Sequence, residues 1–383
     1  MVAEGTWRPA RAVIDPAAIA RNVARLRQAV APAALCAVVK ANGYSHGALT
    51  AATAAIEAGA AGLAVALIDE GIELRDGGIT APILLLSEPV ATSFDACFGY
   101  ALTPTVATAA GVEAAIAASQ AIGGRQRVHL KVDTGMHRVG AMPEEAPELA
   151  ARIASCSTLV LEGIYTHFAV ADGSSPEDVA FTALQLDRLH GVLEACSRQG
   201  ITPAVVHAAN TAGALRFPEA RLDMVRCGIG IYGVSPMDRA EAGMARTLVE
   251  SLEPALSLTA EVTAVHALRA GDRPSYGRRR PLPADGWVAT VPLGYADGLP
   301  RRLLDAGFEV LIGGQRRPLA GTVTMDQIVV DCGQHPVEVG DEVVLLGRQG
   351  DECIDAYEWA DRLGTIAYEV LCGLGPRVPR ALR

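Results

Sequence analysis

The chain has 383 residues, too many for one ordinary core and suited to two domains; half are apolar and a fifth charged, which predicts a globular protein with ample core material. A net charge of -10 excludes a nucleic-acid partner, whose phosphates need a surplus of Lys and Arg. No apolar run approaches the roughly 20 residues that a helix needs to span a bilayer, so no membrane-spanning helix is expected.

Residues 1–11 carry Glu4, Trp7, Arg8 and Pro9 with no continuous hydrophobic stretch, so no secretory signal is expected there. The eight cysteines are scattered without a C-x-x-C pair, which fits reduced thiols in a cytoplasm and neither a disulfide scaffold nor a zinc site. Between residues 34 and 233 eight short apolar runs recur, at 34–41, 62–67, 82–87, 102–107, 127–133, 159–168, 204–210 and 224–232. Most lack apolar/polar alternation, as strands buried on both faces of a parallel sheet do. The segments between them, such as 48–58, 108–121 and 176–199, are rich in Ala, Leu, Glu and Gln, with Gly59, Gly123 and Gly200 at their ends. Eight strand–helix units in this length predict a (β/α)8 barrel over residues 1–245.

The character changes after residue 245. Stretches 256–268, 287–293, 308–312, 318–330 and 342–347 are strand-like and often alternating, separated by turn-rich pieces. A mainly β second domain, 246–383, follows, with a helix near 356–363 and a tail ending at 375–380. The clusters Arg278–Arg280 and Arg301–Arg302 are too short to decide between a solvated face and an entrance for an anionic substrate.

Polar residues fall where barrel chemistry collects. Lys40 ends the first run, Lys131 and Asp133 the fifth, His167 the sixth and Asn210 the seventh, while Arg226 lies in the eighth. Active sites of such barrels sit at the C-terminal ends of the strands. Burial disfavours the ammonium form, so a lysine delivered by a buried strand can be neutral and nucleophilic; standing alone, Lys40 reads equally as a strand cap that snorkels to water. Gly228, Gly230 and Gly233 form a Gly-x-Gly-x-x-Gly match after a strand, but Val234-Ser235-Pro236 follows and no strand-ending acid lies nearby, so a dinucleotide fingerprint is rejected. Bare backbone N–H groups after a late barrel strand still suit a phosphate. Lysine, phosphate cradle and barrel together point to pyridoxal phosphate.

The stretch Val39-Lys40-Ala41-Asn42-Gly43-Tyr44-Ser45-His46-Gly47 resembles the pyridoxal-phosphate attachment signature of alanine racemases. The resemblance continues in order through residues 131–140, 166–168, 207–211, 226–229, 275–277, 324–327 and 367–370, nearly the whole chain. It implies that Lys40 holds the cofactor and is the base on one face of the substrate Cα. Tyr276, offered by the other subunit of a homodimer, is implied as the base on the opposite face, since racemisation moves a proton across the centre. A phenol with an ordinary pKa of about 10 needs positive charge beside it to act so, and His167 and Arg226 are the implied support. Arg226 is also implied as the donor to the pyridine nitrogen, which keeps that nitrogen unprotonated and restrains side reactions. Tyr44, Thr211, Gly228, Ile229 and Tyr368 are implied for the phosphate, with Leu86, His167 and Asn210 also lining the cofactor. Arg138 and the Met325 backbone are implied for the substrate carboxylate, with Asp326 nearby and Tyr295 beside the small substrate pocket. Lys131 resembles a lysine the family often carries as a carbamate, an anion able to orient Arg138.

Taken alone, Tyr276 reads as an exposed turn tyrosine, His167 as a satisfied core histidine and Asp326 as a turn carboxylate. Gly43, Ser45, Thr211 and Cys227 depart from the residues more usual in the family; Thr211 keeps the hydroxyl that a phosphate needs. The resemblance implies racemisation of L- and D-alanine, supplying D-alanine for peptidoglycan. A racemase of wider substrate range, a non-catalytic pyridoxal-phosphate carrier and a decarboxylase of similar architecture are the alternatives. The long β domain with Tyr276 counts against the carrier, and Arg226 in place of an acid against the decarboxylase.

Overall fold

The computed structural model describes residues 7–237 and 246–383; the expected boundary after residue 245 borders residues that lie outside this set. Two compact units result. One holds Ala17–Gly43 and the described part of Ala48–Glu253; the other holds the described residues up to Pro16, then Tyr44–Gly47 and Pro254–Arg383. A single cut at 245 therefore omits an exchange, because the first strand belongs with the C-terminal unit.

In the first unit eight parallel strands follow one another in space in the order β8-β7-β6-β5-β4-β3-β2-β9. They are β2 (Ala34–Val38), β3 (Gly62–Val65), β4 (Ile83–Leu85), β5 (Thr103–Val106), β6 (Gln126–Lys131), β7 (Leu159–Tyr165), β8 (Val205–His207) and β9 (Met224–Cys227). All eight apolar runs became strands, and β3, β4 and β5 are buried along their whole length, the state their lack of alternation predicts. A parallel bridge between Asn210 and Arg226 closes the ring between β8 and β9. Helices Ala48–Glu57, Ala109–Ile122 and Pro176–Arg198 fill the expected connections. Thr108 and Ser175 cap the last two by accepting from Gly111 N and Asp178 N.

The second unit begins with β1 (Ala10–Ile14), which lies antiparallel to β10 (Leu256–Glu261) and parallel to β18 (Arg380–Leu382). Its larger sheet has the order β14-β13-β16-β10-β1-β18, with β17 on β16; the smaller is β11-β12-β15. The remaining strands are β11 (Ala264–Leu268), β12 (Gly286–Val291), β13 (Glu309–Ile312), β14 (Gln315–Pro318), β15 (Ile328–Gly333), β16 (Glu342–Gln349) and β17 (Glu352–Ile354). β10 and β15 alternate buried and half-buried residues, the pattern of a sheet with one covered face. The strand-like stretch 318–330 is mostly a loop; Pro318 ends β14 and 328–330 begin β15. Helix Ala356–Leu363 forms where expected, between an Asp355 cap and a left-handed Gly364. It buries Trp359, whose indole donates to Leu345 O at 3.0 Å and meets Phe308 edge-on at 4.7 Å. A further short helix, Ala367–Cys372, carries Tyr368.

Candidate active site

Register brings the barrel residues together. Parallel pairing places Lys131 beside Tyr165 and Tyr165 beside His207, one layer across three strands, while Cys36 on β2 pairs with Arg226 on β9. A cavity of about 180 Å³ opens at the C-terminal ends of the strands, lined by Lys40, Leu86, Lys131, Arg138, Tyr165 and His167 among others.

Lys40 stands where β2 ends and the backbone winds left-handed. Ala41, Asn42, Gly43, Tyr44 and Ser45 all have φ between 51° and 68°. Each non-glycine residue in that region costs about 1–2 kcal/mol, so the turn must be held from outside. Glu70 does much of this: its carboxylate accepts from Ala41 N at 2.6 Å, Ala66 N at 2.8 Å and Leu67 N at 3.1 Å. Asn42 Oδ1 accepts from Ala48 N at 2.8 Å. A Cβ on Gly43 would lie 3.1 Å from Ala51 Cβ, so Gly43 suits this packing as well as the turn. Glu70 escaped notice in the sequence; an acid three residues into a helix start is its one signal.

Arg226 is buried and held on several sides. It donates through Nη1 to His207 Nδ1 at 2.5 Å, and through Nη2 to Thr166 O at 2.7 Å, Ala208 O at 2.9 Å and His167 Nδ1 at 3.2 Å. Burial, with the charge of Arg226 and other cations nearby, holds His167 well below the ordinary histidine range. Its Nδ1 faces a guanidinium that only donates, and accepts there. Tyr165, also missed from the sequence, is the platform of the cavity floor. Its hydroxyl bridges Thr105 Oγ1 at 2.8 Å and Leu86 O at 3.1 Å, and its ring stacks on His207 at 4.5 Å. Lys131 and Arg226 lie over the same ring, 5.6 and 5.0 Å from its centre. Burial, then Arg226, Arg138 and Lys40, push the Lys131 amine down to about 8, and it donates to Leu86 O at 3.4 Å.

Thr211 Oγ1 accepts from Gly228 N at 3.0 Å, joining two residues expected at a phosphate. A Cβ on Gly230 would sit 2.6 Å from the Thr211 methyl, so the short helical turn Ile229–Tyr232 packs closely there. Ile231 N donates to Gly228 O at 2.9 Å, which leaves the Ile229 and Gly230 N–H groups ahead of the turn's own hydrogen bonds. Asn210 is a helix cap, accepting from Gly213 N at 2.9 Å. Asp133 accepts from Gly135 N and His137 N and so closes the loop that presents Arg138.

In the other unit, Tyr44 and Tyr368 lie with ring centres 6.1 Å apart. Tyr276 is 70% exposed on a turn where Ser275 has φ 65°. That turn is clipped by Ser275 Oγ donating to Thr322 O at 2.5 Å and Thr322 Oγ1 donating to Tyr276 O at 2.9 Å. Tyr295, Met325 and Asp326 come together, with Tyr295 N donating to Thr324 O and Ala296 N to Met325 O. Asp326 Oδ1 pairs with Arg377 Nη2 at 2.7 Å, which occupies the carboxylate expected near substrate.

Known proteins agree with this picture over the whole chain. The model of the alanine racemase N-terminal domain matches residues 14–236, and that of the C-terminal domain residues 255–382. The chain is 43% identical over 374 residues to the alanine racemase of Symbiobacterium thermophilum, covering 97% of each. It is 43% identical over 376 residues to that of Desulforamulus reducens, covering 97% of this chain and 98% of the relative. The crystal structure of alanine racemase from D-cycloserine-producing Streptomyces lavendulae superposes with a TM-score of 0.91 at 38% identity, over 99% of this chain and 98% of that one. The E. faecalis alanine racemase gives 0.89 at 40% identity over the full length of both.

Proposed function

This chain belongs to the alanine racemase family, and on that premise we propose that it interconverts L- and D-alanine by two bases, Lys40 and Tyr276 of the partner subunit, on pyridoxal phosphate. The observation that carries the reading is the cation-lined cavity at the strand C-termini. Lys40 and Arg138 line it, and Arg226 lies over its Tyr165 floor. Such a concentration of positive charge calls for anions, and a phosphate and a substrate carboxylate supply them. The close Gly230–Thr211 packing and the leading N–H groups after Gly228 suit the phosphate.

Bound there, the cofactor supplies an electron sink for the charge left at Cα. Lys40 Nζ would take or give the proton on one face of Cα, and Tyr276 Oη of the partner subunit would act on the other. Arg138 holds the carboxylate with its planar fork, aided by the Met325 backbone. Thr211, Gly228 and Ile229 of the barrel unit are assigned to the phosphate, with Leu86, His167 and Asn210 completing the lining. Asp326 acts through Arg377, and Tyr295 bounds the substrate methyl. Lys131, with its amine near 8, is assigned as a carbamate whose negative charge offsets the surrounding cations. A cytoplasmic homodimer supplying D-alanine for peptidoglycan completes the proposal; no disulfide joins the cysteines, and among the described residues no helix is long and apolar enough to cross a membrane.

The test is chiral chromatography of the purified protein with pyridoxal phosphate and L-alanine, L-serine or L-lysine in turn. Fast D-alanine formation with slow turnover of the other two is expected. Equal rates on all three would replace the narrow reading by a broad one, and no D-product despite a bound yellow cofactor would leave only a carrier.

A further inference from the structure

A line of hydrogen bonds leaves Arg226 away from the cavity and crosses the barrel interior. Arg226 Nη1 contacts His207 Nδ1 at 2.5 Å, His207 Nε2 contacts His129 Nδ1 at 2.9 Å, and His129 Nε2 contacts Glu162 Oε2 at 3.2 Å. His207 and His129 are buried on β8 and β6, and Glu162 is half-buried on β7. Gly163 makes room for the chain, since a Cβ there would fall 2.5 Å from His129 Nδ1. At the far end His129 and Glu162 line a second cavity, of about 220 Å³, among residues at the starts of the strands.

The two ends decide every proton between them. A guanidinium donates and cannot accept, so His207 Nδ1 must accept and its proton must sit on Nε2. That N–H donates to His129, whose Nδ1 accepts and whose proton sits on Nε2. The last N–H finds an acceptor-only carboxylate. Protonating either ring would set two N–H groups against each other, and burial with the Arg226 charge holds His207 well below the ordinary histidine range.

We propose that His129 and Glu162 are positioning residues for Arg226: the carboxylate at one end of the barrel accepts the last proton of the line that Arg226 begins, so that both histidines keep the tautomers that hold the Arg226 guanidinium in place at the other. The inference rests on Arg226 serving the cofactor, and alanine turnover by the unaltered protein, measured alongside, tests that reading separately.

The experiment is nitrogen-15 histidine NMR of the holoenzyme, which distinguishes the two neutral tautomers, together with steady-state kinetics and the pH titration of the bound cofactor's visible band. Glu162→Gln keeps an acceptor oxygen, and its tautomers, cofactor spectrum and kcat are expected to match the unaltered protein. Glu162→Lys presents a donor, and both histidines are expected to change tautomer, with the cofactor titration displaced and kcat lowered about 10- to 100-fold at little change in KM, the scale of losing an outer partner. If Glu162→Lys does not fold, Glu162→Arg, which also presents only donors, is read the same way. Unchanged tautomers in a folded Lys or Arg variant, changed tautomers with unaltered kcat, or an equal loss in Glu162→Gln would each overturn the proposal.

Discussion

Lys131 shows what a single buried charge does here. With its amine near 8 against an ordinary value of 10.5, the folded protein resists protonating it where the unfolded chain does not. Between about pH 8 and 10.5 the unfolded state therefore holds more protons, and stability attributable to Lys131 rises with pH across that window. Lys131→Met removes the cost, on the order of a few kcal/mol. In buffer free of carbon dioxide the variant is expected to be more stable than the parent below pH 8, with the charge-dependent part of the gap closing towards pH 10.5. Thermal unfolding across that range measures it; a pH-independent gap would mean that the parent amine is not near 8. Carbon-13 bicarbonate should give a carbamate signal in the parent and none in the variant.

At the scale of elements, the reactive lysine depends on a turn that the backbone would not adopt unaided. Glu70, from the helix after β3, satisfies donors on the loops after both β2 and β3 with one carboxylate. Glu70→Ala leaves the half-buried Ala66 N–H without that acceptor and the exposed Ala41 and Leu67 N–H groups to water, at a cost of about 1 kcal/mol. A melting midpoint lowered by several degrees and a weaker retention of pyridoxal phosphate on dialysis are expected. A variant with unchanged midpoint and cofactor retention would show that the left-handed turn stands without Glu70. The barrel strands need no such device, because uninterrupted apolar runs have one stable fate, burial on both faces.

At the scale of the molecule, the two bases are proposed to come from different subunits, and Tyr276 is displayed on an exposed turn consistent with use by a partner. Lys40→Ala and Tyr276→Phe homodimers are each expected to lose about 10²- to 10⁴-fold in racemisation. Mixed and refolded together, they should regain part of the parent activity through heterodimers holding one intact site. Recovery no greater than the sum of the separate variants would sink the shared-site assignment.

The eight runs, the glycine ends of the helices and the change to alternation after 245 were legible in the sequence, because local burial patterns suffice to specify strands and helices. The ordered motifs carried the family, and with it Lys40, Arg138, His167 and Arg226. Tertiary structure decided the rest, since hydrogen-bond partners and protonation depend on groups distant in sequence. The β1–β10 pairing joins residues some 250 apart, so the first strand's allegiance had no local signal. Tyr165 and Glu70 became visible only when register put them beside Lys131, Arg226 and the Ala41 N–H. Burial and the charge of Arg226 push the His167 pKa down, and the His129–Glu162 line exists only because parallel strands place side chains from β6, β7, β8 and β9 in one interior, where a donor-only arginine and an acceptor-only carboxylate leave the imidazoles between them a single arrangement of protons.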